Sequence, residues 1–223
     1  MFKIKIMKDG PYIVNGLQLI VQKKSVLNKD NILEEVETNR FDSKKEYHLC
    51  RCGASAEKPF CDGSHVSAKF NGDEVSDRRG YIDRSEMYTG ERVQLLDDGR
   101  CAFARFCHRK NGDVWTLTQN ASNATDVNEV IKGASACPAG RLTAVLNGKI
   151  MYDPAQDEVA IFQDPLKKVS AGVNVKGDFL VESSDGTFYE KRDRISLCRC
   201  GHSRNKPFCD ATHVKINFND EHI

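Results

Sequence analysis

The chain has 223 residues and a formal net charge of +1, because 33 lysines and arginines nearly balance 32 aspartates and glutamates. This balance gives no electrostatic reason to expect nucleic acid or an anionic membrane as the main partner. The length allows two or three small domains, and no apolar run approaches the roughly 20 residues needed to cross a bilayer.

Nine cysteines are the most informative feature of the composition. The N-terminal stretch lacks the apolar core of a signal peptide, so we expect a soluble cytoplasmic protein. Its reducing surroundings would disfavour disulfides and leave thiolates available for metals. The cysteines fall into three groups: Cys50, Cys52 and Cys61; Cys101, Cys107 and Cys137; Cys198, Cys200 and Cys209.

The first predicted elements are short strands. Residues 12–21 read YIVNGLQLIV, in which Asn15-Gly16 is a signal for a two-residue hairpin turn. The charged stretch at 27–45 predicts an inserted loop or short helix, and we interpret it as a solvated surface. Short strands therefore lead into the first cysteine group.

That group lies in residues 49–65, which read LCRCGASAEKPFCDGSH. In an extended chain, the two cysteines of CRC point to the same side. The glycine and proline that follow let the chain turn and bring Cys61 to the opposite side. Asp62 can cap a short helix that begins at residue 63 and carries His65 in its first turn. Four ligands are therefore predicted to converge on one point: Cys50, Cys52, Cys61 and His65.

Residues 86–165 form a different predicted unit. ERVQLL at 91–96 reads as a strand, and LTAVLNGKIMYD at 142–153 reads as a hairpin around Asn147-Gly148. Between them, apolar side chains recur with helical spacing at Val127, Val130, Ile131 and Ala134.

This helix has predictable boundaries. Thr125 is a predicted N-cap, and Pro138 prevents the helix from continuing at its other end. The helix therefore delivers Cys137 just beyond its last turn.

The C-terminal part repeats the first cysteine motif. Residues 197–213 read LCRCGHSRNKPFCDATH, and aligning 49–70 with 197–218 gives 14 identities in 22 positions. The preceding stretch, 173–190, again offers strands, with a turn at Gly177. The same local site is predicted a second time, with the ligands Cys198, Cys200, Cys209 and His213.

Ligand spacing helps to choose the metal. Three thiolates and one imidazole also describe a structural zinc site, but zinc ligand pairs usually have the spacing C-x2-4-C, whereas both motifs begin C-x-C. A two-iron cluster can be shared between a cysteine pair and a cysteine-histidine pair. Nearby cations would favour such an anionic cluster: Arg51, Lys58, Arg199 and Lys206. We therefore favour 2Fe-2S over zinc at both motifs.

Both motifs resemble the signature of the CDGSH iron-sulfur, or NEET, family. The first reads C-x-C-x2-S-x3-P-x-C-D-G-S-H, and the second reads C-x-C-x2-S-x3-P-x-C-D-A-T-H. The resemblance implies a 2Fe-2S cluster at each motif, held by three cysteines and one exposed histidine. One departure is Ala211, where the first motif has Gly63, and it matters if the backbone there needs a positive φ.

Members of this family usually pair two motifs around a shared β-sheet core, as a homodimer or within one chain. The resemblance therefore implies an α+β fold in which two β-rich halves form a pseudo-twofold unit within a monomer. We expect a small α+β domain of ferredoxin-like type, argued below, to be inserted between them. We expect the halves at residues 1–85 and 166–223 and the inserted domain at 86–165.

The middle cysteines resemble a ferredoxin pattern. CAFARFC at 101–107 is C-x2-C-x2-C with Ala104 at the central cysteine, and the later CPAG supplies a distant Cys-Pro ligand. The segment also resembles a divergent single-cluster ferredoxin family, whose motif C-x-H-x3-C has Phe103 here in place of the histidine. A 3Fe-4S cluster is implied, with 4Fe-4S as the alternative, on the ligands Cys101, Cys107 and Cys137. In the simpler interpretation, these cysteines are only buried, small hydrophobic residues.

The leading functional hypothesis is a soluble electron carrier with three iron-sulfur centres, in which the central one relays between the outer two. A second hypothesis is a labile-cluster reservoir, donor or redox sensor that passes 2Fe-2S units to acceptor proteins. A zinc-stabilised interaction module is a third. An enzyme has the least support, because no nucleophile-base pair or phosphate loop is visible. The expected partner is a redox protein or an apo-acceptor of a cluster, not nucleic acid or a membrane.

Overall fold

The computed structural model describes residues 1–18, 20–151 and 155–220. The first outer segment consists of strands until its cysteine motif begins. In FKIKI at residues 2–6, the apolar side chains are buried and both lysines are exposed, as the alternation of a strand requires. Its elements are β1 (Phe2–Ile6), β2 (Tyr12–Asn15), β3 (Ile20–Leu27), β4 (Leu33–Phe41), β5 (Glu46–Leu49) and the short helix α1 (Ser64–Ser67).

The central segment packs two helices against a small antiparallel sheet. Its elements are α2 (Tyr81–Arg84), β6 (Glu86–Thr89), β7 (Gln94–Asp97), β8 (His108–Arg109), β9 (Gly112–Asp113), α3 (Val114–Asn120), α4 (Ala124–Ser135), β10 (Leu142–Leu146) and β11 (Lys149–Met151). The sheet has the order β11-β10-β7-β6, and Leu95, Val130 and Ala144 lie in its core. The predicted turn at Asn147-Gly148 is confirmed between β10 and β11. Residues 152–153 of that predicted hairpin lie outside the described part of the chain.

The predicted amphipathic helix is confirmed as α4, but its N-cap is not Thr125. The side-chain oxygen of Asn123 accepts hydrogen bonds from the amide N–H groups of Thr125 (2.8 Å) and Asp126 (3.1 Å). Asn123 has the extended backbone that a capping residue adopts. The helix ends at Ser135, so Cys137 follows its last turn as predicted.

The second outer segment repeats the arrangement of the first. Its elements are β12 (Glu158–Asp164), β13 (Val169–Lys176), β14 (Phe179–Glu182), β15 (Arg194–Leu197) and the short helix α5 (Thr212–Lys215). In both outer segments a strand that ends in leucine leads directly into the cysteine motif, Leu49 in β5 and Leu197 in β15.

The two outer segments exchange strands. One sheet has the order β14-β1-β2-β5, and the other has the order β15-β13-β12-β3-β4. β14 pairs in parallel with β1, and β3 pairs in parallel with β12, so each sheet contains a strand from the other segment. Their apolar faces share one core, which includes Ile4, Tyr12, Ile161 and Phe179. Because this core draws on both segments, they fold as one unit.

The predicted hairpin at Asn15-Gly16 is wrong. β2 pairs with β1 and β5, whereas β3 pairs with β12 and β4, so this turn does not join paired strands. Gly16 has φ 95 and Gly177, between β13 and β14, has φ 100, and each turn sends the chain from one sheet to the other. The turn residues determine only the local reversal of the chain direction. Burial of Ile20 in the shared core decides where β3 pairs.

The charged stretch at 27–45 forms a strand rather than a loop or helix. β4 lies at the edge of the five-stranded sheet and pairs antiparallel with β3. Most of its side chains are exposed, which agrees with the predicted solvated surface. Glu35 on β4 forms ion pairs with Lys23 and Lys176 of the same sheet. Charged side chains on such an edge discourage pairing with another chain.

The predicted boundary at residue 165 also needs correction. β12 lies within the expected central domain at 86–165, yet it pairs with β13 and β3 in an outer sheet. Residues 158–164 therefore belong with the outer segments. The α+β class itself is confirmed by the sheets and helices. None of the helices in the described ranges is long and apolar enough to span a bilayer.

Candidate metal centres

Each outer cysteine motif folds into a loop that is closed at its base. The amide N–H of Cys50 donates a hydrogen bond to the carbonyl oxygen of Pro59 over 2.8 Å. The amide N–H of Cys198 donates to the carbonyl oxygen of Pro207 over the same distance. The repeated sequence therefore builds the same local structure twice.

Each motif presents its donor atoms in two pairs. In the first motif, the Sγ atoms of Cys50 and Cys52 are 3.8 Å apart, and Sγ of Cys61 lies 3.4 Å from Nδ1 of His65. The corresponding separations in the second motif are 3.7 and 3.4 Å. Two thiolates on one tetrahedral metal, each at about 2.3 Å, lie about 3.8 Å apart, whereas disulfide sulfurs lie about 2.05 Å apart. The observed separations therefore fit ligand pairs, each on a shared metal.

The four predicted ligands of each motif form two pairs, as expected for a two-iron cluster, rather than surrounding one ion. Within residues 1–18, 20–151 and 155–220, no three histidine, cysteine or carboxylate side chains gather closely enough to hold one ion. The donors of each motif instead form one cysteine pair and one cysteine-histidine pair. This donor set fits a centre with two metal ions, each bound by one pair.

One thiol of each cysteine pair is favoured as the thiolate. The Cys52 thiol lowers the pKa of Cys50, and the backbone N–H groups of Ser55 and Gly53 lower it further, although burial opposes ionisation. The same arrangement lowers the pKa of Cys198. The same interaction raises the pKa of the partner thiol, Cys52 or Cys200, so each pair favours one thiolate, and a bound metal would favour ionisation of the second.

The three central cysteines line one pocket. Trp115 and Arg141 also form its wall. Burial, followed by the charges of Cys137 and Cys101, raises the pKa of the Cys107 thiol to about 12. The thiols share one small space in which ionisation of Cys107 is opposed, and a bound cationic centre would reverse that effect.

The loop that joins the first two central cysteines has an unusual backbone. Phe103 has φ 62 and Arg105 has φ 65, although neither is glycine. Such residues cost about 1 to 3 kcal/mol each and persist where the surroundings fix them. Left-handed residues direct successive N–H groups into a concavity that suits an anion, and the Phe103 N–H donates to Sγ of Cys101 (3.3 Å). This geometry favours a cluster site over inert, buried cysteines.

Arg141 is a site residue that sequence reasoning missed. Its guanidinium donates to both carboxylate oxygens of Asp97, at 2.5 and 2.6 Å, and Asp97 also accepts from Trp115 Nε1 at 2.9 Å. Asp97, and more weakly Cys101, raise the pKa of Arg141. A fixed cation therefore lies beside one of the central thiols. Its role depends on a partner 44 residues away, so no local pattern reveals it.

Two family profiles match the segments that contain these sites. The profile described as iron-binding zinc finger CDGSH type matches residues 9–66 and 172–214. The profile described as divergent 4Fe-4S mono-cluster matches residues 88–147. The chain carries two CDGSH segments around a mono-cluster segment. The resemblances read from the motifs are therefore confirmed, while no curated protein and no solved structure matches the chain.

The arginines of the CDGSH motifs point away from the donors, as the side-chain alternation of an extended C-R-C segment predicts. The Arg51 guanidinium lies 5.5 Å from the centre of the Tyr12 ring in the core. Arg199 forms an ion pair with Asp220 in which both side chains are almost completely buried. Lys58, in contrast, favours the thiolate of its own motif by its charge. The arginines therefore hold the loops in place, and the lysine contributes to the site's electrostatics.

The two CDGSH histidines differ in burial. His65 is partly exposed, as the family resemblance implies, but His213 is only 3% exposed, so the expected exposure is wrong for the second motif. Burial, reinforced by the charge of Arg199, lowers the pKa of His213 to about 4. The imidazole is thereby kept neutral, which is the form that binds a metal.

The residue after each CDGSH aspartate has a left-handed backbone. Gly63 has φ 92 and Ala211 has φ 67, so the sequence difference at this position does matter. The N-cap of α1 is Gly63 rather than Asp62 as predicted, although the Asp62 carboxylate accepts a hydrogen bond from the Ser64 N–H (2.9 Å). Ala211 therefore carries a backbone strain that Gly63 avoids.

Exchanging these two residues tests the strain. We expect Ala211→Gly to raise the free energy of unfolding by roughly 0.5 to 1 kcal/mol, because relief of the left-handed strain exceeds the extra entropy of an unfolded glycine. Gly63→Ala should lower it by a similar amount. Thermal unfolding of the iron-loaded protein measures both. Equal transition temperatures for wild type and both variants would contradict the assignment of backbone strain to Ala211.

The mono-cluster segment lies against the second CDGSH motif. Cys209 packs with Ala102 and Ala139, and Cys137 contacts the same cluster. Burial is the main reason that the pKa of Cys209 is raised, and the nearby Cys101 thiolate adds to the effect. One central donor, Cys137, and one donor of the second CDGSH motif, Cys209, therefore pack in the same apolar cluster.

The two CDGSH loops touch each other at their glycines. A Cβ atom on Gly53 would lie 2.7 Å from the carbonyl oxygen of Cys200, and one on Gly201 would lie 2.3 Å from the carbonyl oxygen of Cys52. The contacts place the second CDGSH motif beside both other sites. The order of the motifs in the sequence predicts the central cysteines in that position instead.

Proposed function

We propose that this chain carries electrons through three iron-sulfur centres. The observation that supports this most strongly is the continuity of the donor sets. Cys137 and Cys209 belong to one packed cluster, and the two CDGSH loops meet at Gly53 and Gly201. Centres in such contact can exchange electrons without movement of the protein. A redox partner protein would supply the electrons, and another would accept them.

Two of the proposed centres are 2Fe-2S clusters at the CDGSH motifs. A bound cluster supplies one-electron redox chemistry. The chain holds each cluster with one cysteine pair and one cysteine-histidine pair, at separations that suit two metals. An imidazole carries one negative charge less than a thiolate, which favours a potential above that of plant-type ferredoxins.

The proposed third centre is a 3Fe-4S cluster on the three central cysteines. Support comes from the pocket that all three cysteines line and from the left-handed backbone at Phe103 and Arg105 in the same loop. His108, the next donor along the chain, is exposed. Ala104, at the position of the missing ferredoxin cysteine, is buried in an apolar cluster. The matched profile names a 4Fe-4S centre, which is the alternative and would need a fourth ligand from elsewhere.

The proposal includes a monomer with an internal pseudo-twofold axis. Corresponding strands occupy corresponding positions in the orders β14-β1-β2-β5 and β3-β12-β13-β15. The glycine contacts between the CDGSH loops are reciprocal, as such an axis requires. In this arrangement the halves at residues 1–85 and 158–220 flank a mono-cluster unit at 86–151.

Reversible reduction of the anaerobically purified protein tests the function. About seven irons per chain are expected from two two-iron centres and one three-iron centre. All centres should be reduced and reoxidised through repeated cycles with no loss of iron. A colourless protein that holds zinc, or loss of iron in the first cycle, would contradict electron carriage.

Removing one central ligand tests the third centre. We expect Cys107→Ser to abolish the low-temperature paramagnetic signal of an oxidised 3Fe-4S cluster and to remove about three irons, because two thiolates cannot hold it. The absorption of the outer clusters should remain. The control is Met87→Ser, at an exposed position of the same segment. Retention of all the iron in the Cys107 variant would place the third centre elsewhere or exclude it.

Delivery of a 2Fe-2S cluster to an acceptor is a second candidate function, and one observation favours it. Cys52, Cys61 and His65 of the first CDGSH motif are partly exposed, so an acceptor thiol could approach this cluster. Incubation with an apo-ferredoxin distinguishes the two functions. Appearance of a cluster in the acceptor, slowed by His65→Cys, would support delivery. Full retention during redox cycling would support electron carriage.

A further inference from the structure

We infer that the three centres form one line, in which the second CDGSH site is the buried middle member and passes electrons between the other two. This inference rests on the proposed electron-carrier function. It assigns different roles to two motifs whose sequences are nearly the same. The exposed ends of the line are the first CDGSH site and the mono-cluster site, and partner proteins would meet the molecule there.

The first argument is burial. The four donor residues of the second CDGSH site are between 1 and 4% exposed: Cys198, Cys200, Cys209 and His213. In the first CDGSH site three of the four donor residues are partly exposed: Cys52, Cys61 and His65. The central cysteines are also partly exposed. A protein partner can therefore approach either end of the line more closely than its middle.

The second argument is the direction in which the two donor pairs of the middle site face. Its cysteine-histidine pair includes Cys209, which packs with Ala102 and Ala139 of the mono-cluster segment. Its cysteine pair includes Cys200, whose carbonyl group lies against Gly53 of the first CDGSH loop. One pair therefore adjoins each neighbouring centre.

The third argument is a direct link between the outer loops. The Tyr12 hydroxyl donates to the carbonyl oxygen of Cys198 (2.7 Å), and the Arg51 guanidinium lies over the ring of Tyr12. Arg51 stands between two donors of the first CDGSH site, so a fully buried tyrosine connects that ligand loop with the loop of the middle site. These contacts are rigid, because every group in them is in the core.

The chemical step is transfer of single electrons. A one-electron protein donor of the flavodoxin or ferredoxin type reduces a centre at one end, and that centre is reoxidised when the middle one is reduced. The middle centre is reoxidised in turn by the centre at the other end, which delivers the electron to a one-electron protein acceptor. No bond forms or breaks, and no proton is required.

Magnetic coupling between reduced centres tests the order without a partner. In the fully reduced wild-type protein, the middle centre should show spin-spin interaction with both neighbours by electron paramagnetic resonance. We expect Cys107→Ser to leave the coupling between the two CDGSH centres intact. We expect Cys198→Ser, which removes the middle centre, to leave the two end centres uncoupled. If Cys107→Ser instead abolished coupling between the CDGSH centres, the central cysteines would be the relay and the inference would fail.

A second measurement tests whether a protein electron donor can reach the middle centre directly. In the variant that lacks both ends, Cys61→Ser with Cys107→Ser, a reduced flavodoxin should reduce the remaining centre far more slowly than in wild type. Dithionite, which is small, should still reduce it. Rapid reduction by flavodoxin would overturn the inference. If the double variant loses its remaining cluster, the spin-spin interaction in the wild-type protein decides whether the second CDGSH site is the middle centre. Iron content and reversible reduction are measured separately, so failure of the proposed function is distinguished from failure of the order.

Discussion

Gly201→Ala is expected to damage the iron site of the opposite motif. The added Cβ would lie 2.3 Å from the carbonyl oxygen of Cys52, and Gly201 has φ 80, which disfavours any side chain. Left-handed strain and overlap with rigid backbone together should lower the free energy of unfolding by roughly 2 to 5 kcal/mol. Because the displaced backbone belongs to Cys52, the first CDGSH cluster should lose iron faster to a chelator.

A control separates strain from contact. Gly186 has φ 86, but a Cβ on it would meet nothing within 4 Å. Gly186→Ala should therefore show the cost of strain alone, about 1 to 2 kcal/mol, and leave iron release unchanged. Urea unfolding and chelator-dependent bleaching measure the two effects. If iron loss in Gly201→Ala were confined to the second site, the reciprocal contact would be refuted.

Asp220→Asn is expected to destabilise the protein by about 3 to 5 kcal/mol, because it leaves the buried guanidinium of Arg199 without its counter-charge. The Asp220 carboxylate is fully buried and also accepts hydrogen bonds from Gln163 and Ser170. It anchors the last described residues beneath the second CDGSH loop. A shift of the urea midpoint, compared with wild type at pH 7, measures the effect.

The difference in stability between wild type and Asp220→Asn should depend on pH. Burial opposes ionisation, but Arg199 and the two hydrogen bonds hold the pKa of Asp220 at about 2, below its ordinary value of about 3.9. A carboxyl group whose pKa is lowered by folding stabilises the fold at pH values above its pKa in the unfolded chain. This stabilisation is lost as the pH falls through its pKa in the folded protein. The wild-type advantage over Asp220→Asn should be constant from pH 8 to 5 and narrow below about pH 4.

An exposed ion pair provides the control for this prediction. Arg79 and Asp77 pair at the surface, where water screens the charges, so Asp77→Asn should leave the urea midpoint unchanged. If Asp77→Asn and Asp220→Asn shifted the urea midpoint equally, burial of Asp220 would not explain its contribution to stability. An advantage of wild type over Asp220→Asn that widens as the pH falls would contradict the lowered pKa.

The local features of the sites could be predicted from the sequence. The C-x-C spacing places Cys50 and Cys52 with their sulfurs 3.8 Å apart, and helix periodicity correctly places Cys137 after α4. These properties depend on neighbours within a few residues. The repeated motif likewise predicts two loops of the same structure, because each loop is closed by its own hydrogen bonds.

Features that depend on distant residues could not be predicted in this way. The turn at Asn15-Gly16 has the composition of a hairpin, yet β3 pairs with β12, more than 130 residues away, because the shared core lies there. The burial of His213 follows from its position in the folded chain, which the sequence of its motif does not reveal. Packing of separate segments, rather than local pattern, decides both.

Because β3 and β14 are exchanged between the outer segments, one chain builds a shared core that two identical chains could also build as a symmetric pair. In a symmetric pair, any substitution would occur at both cluster sites, and both would have the same surroundings. Here one motif carries Ala211 and packs against the mono-cluster segment, while three of the four donor residues of its counterpart are partly exposed. The two motifs of this chain therefore lie in different surroundings, which no twofold-symmetric assembly of identical chains allows.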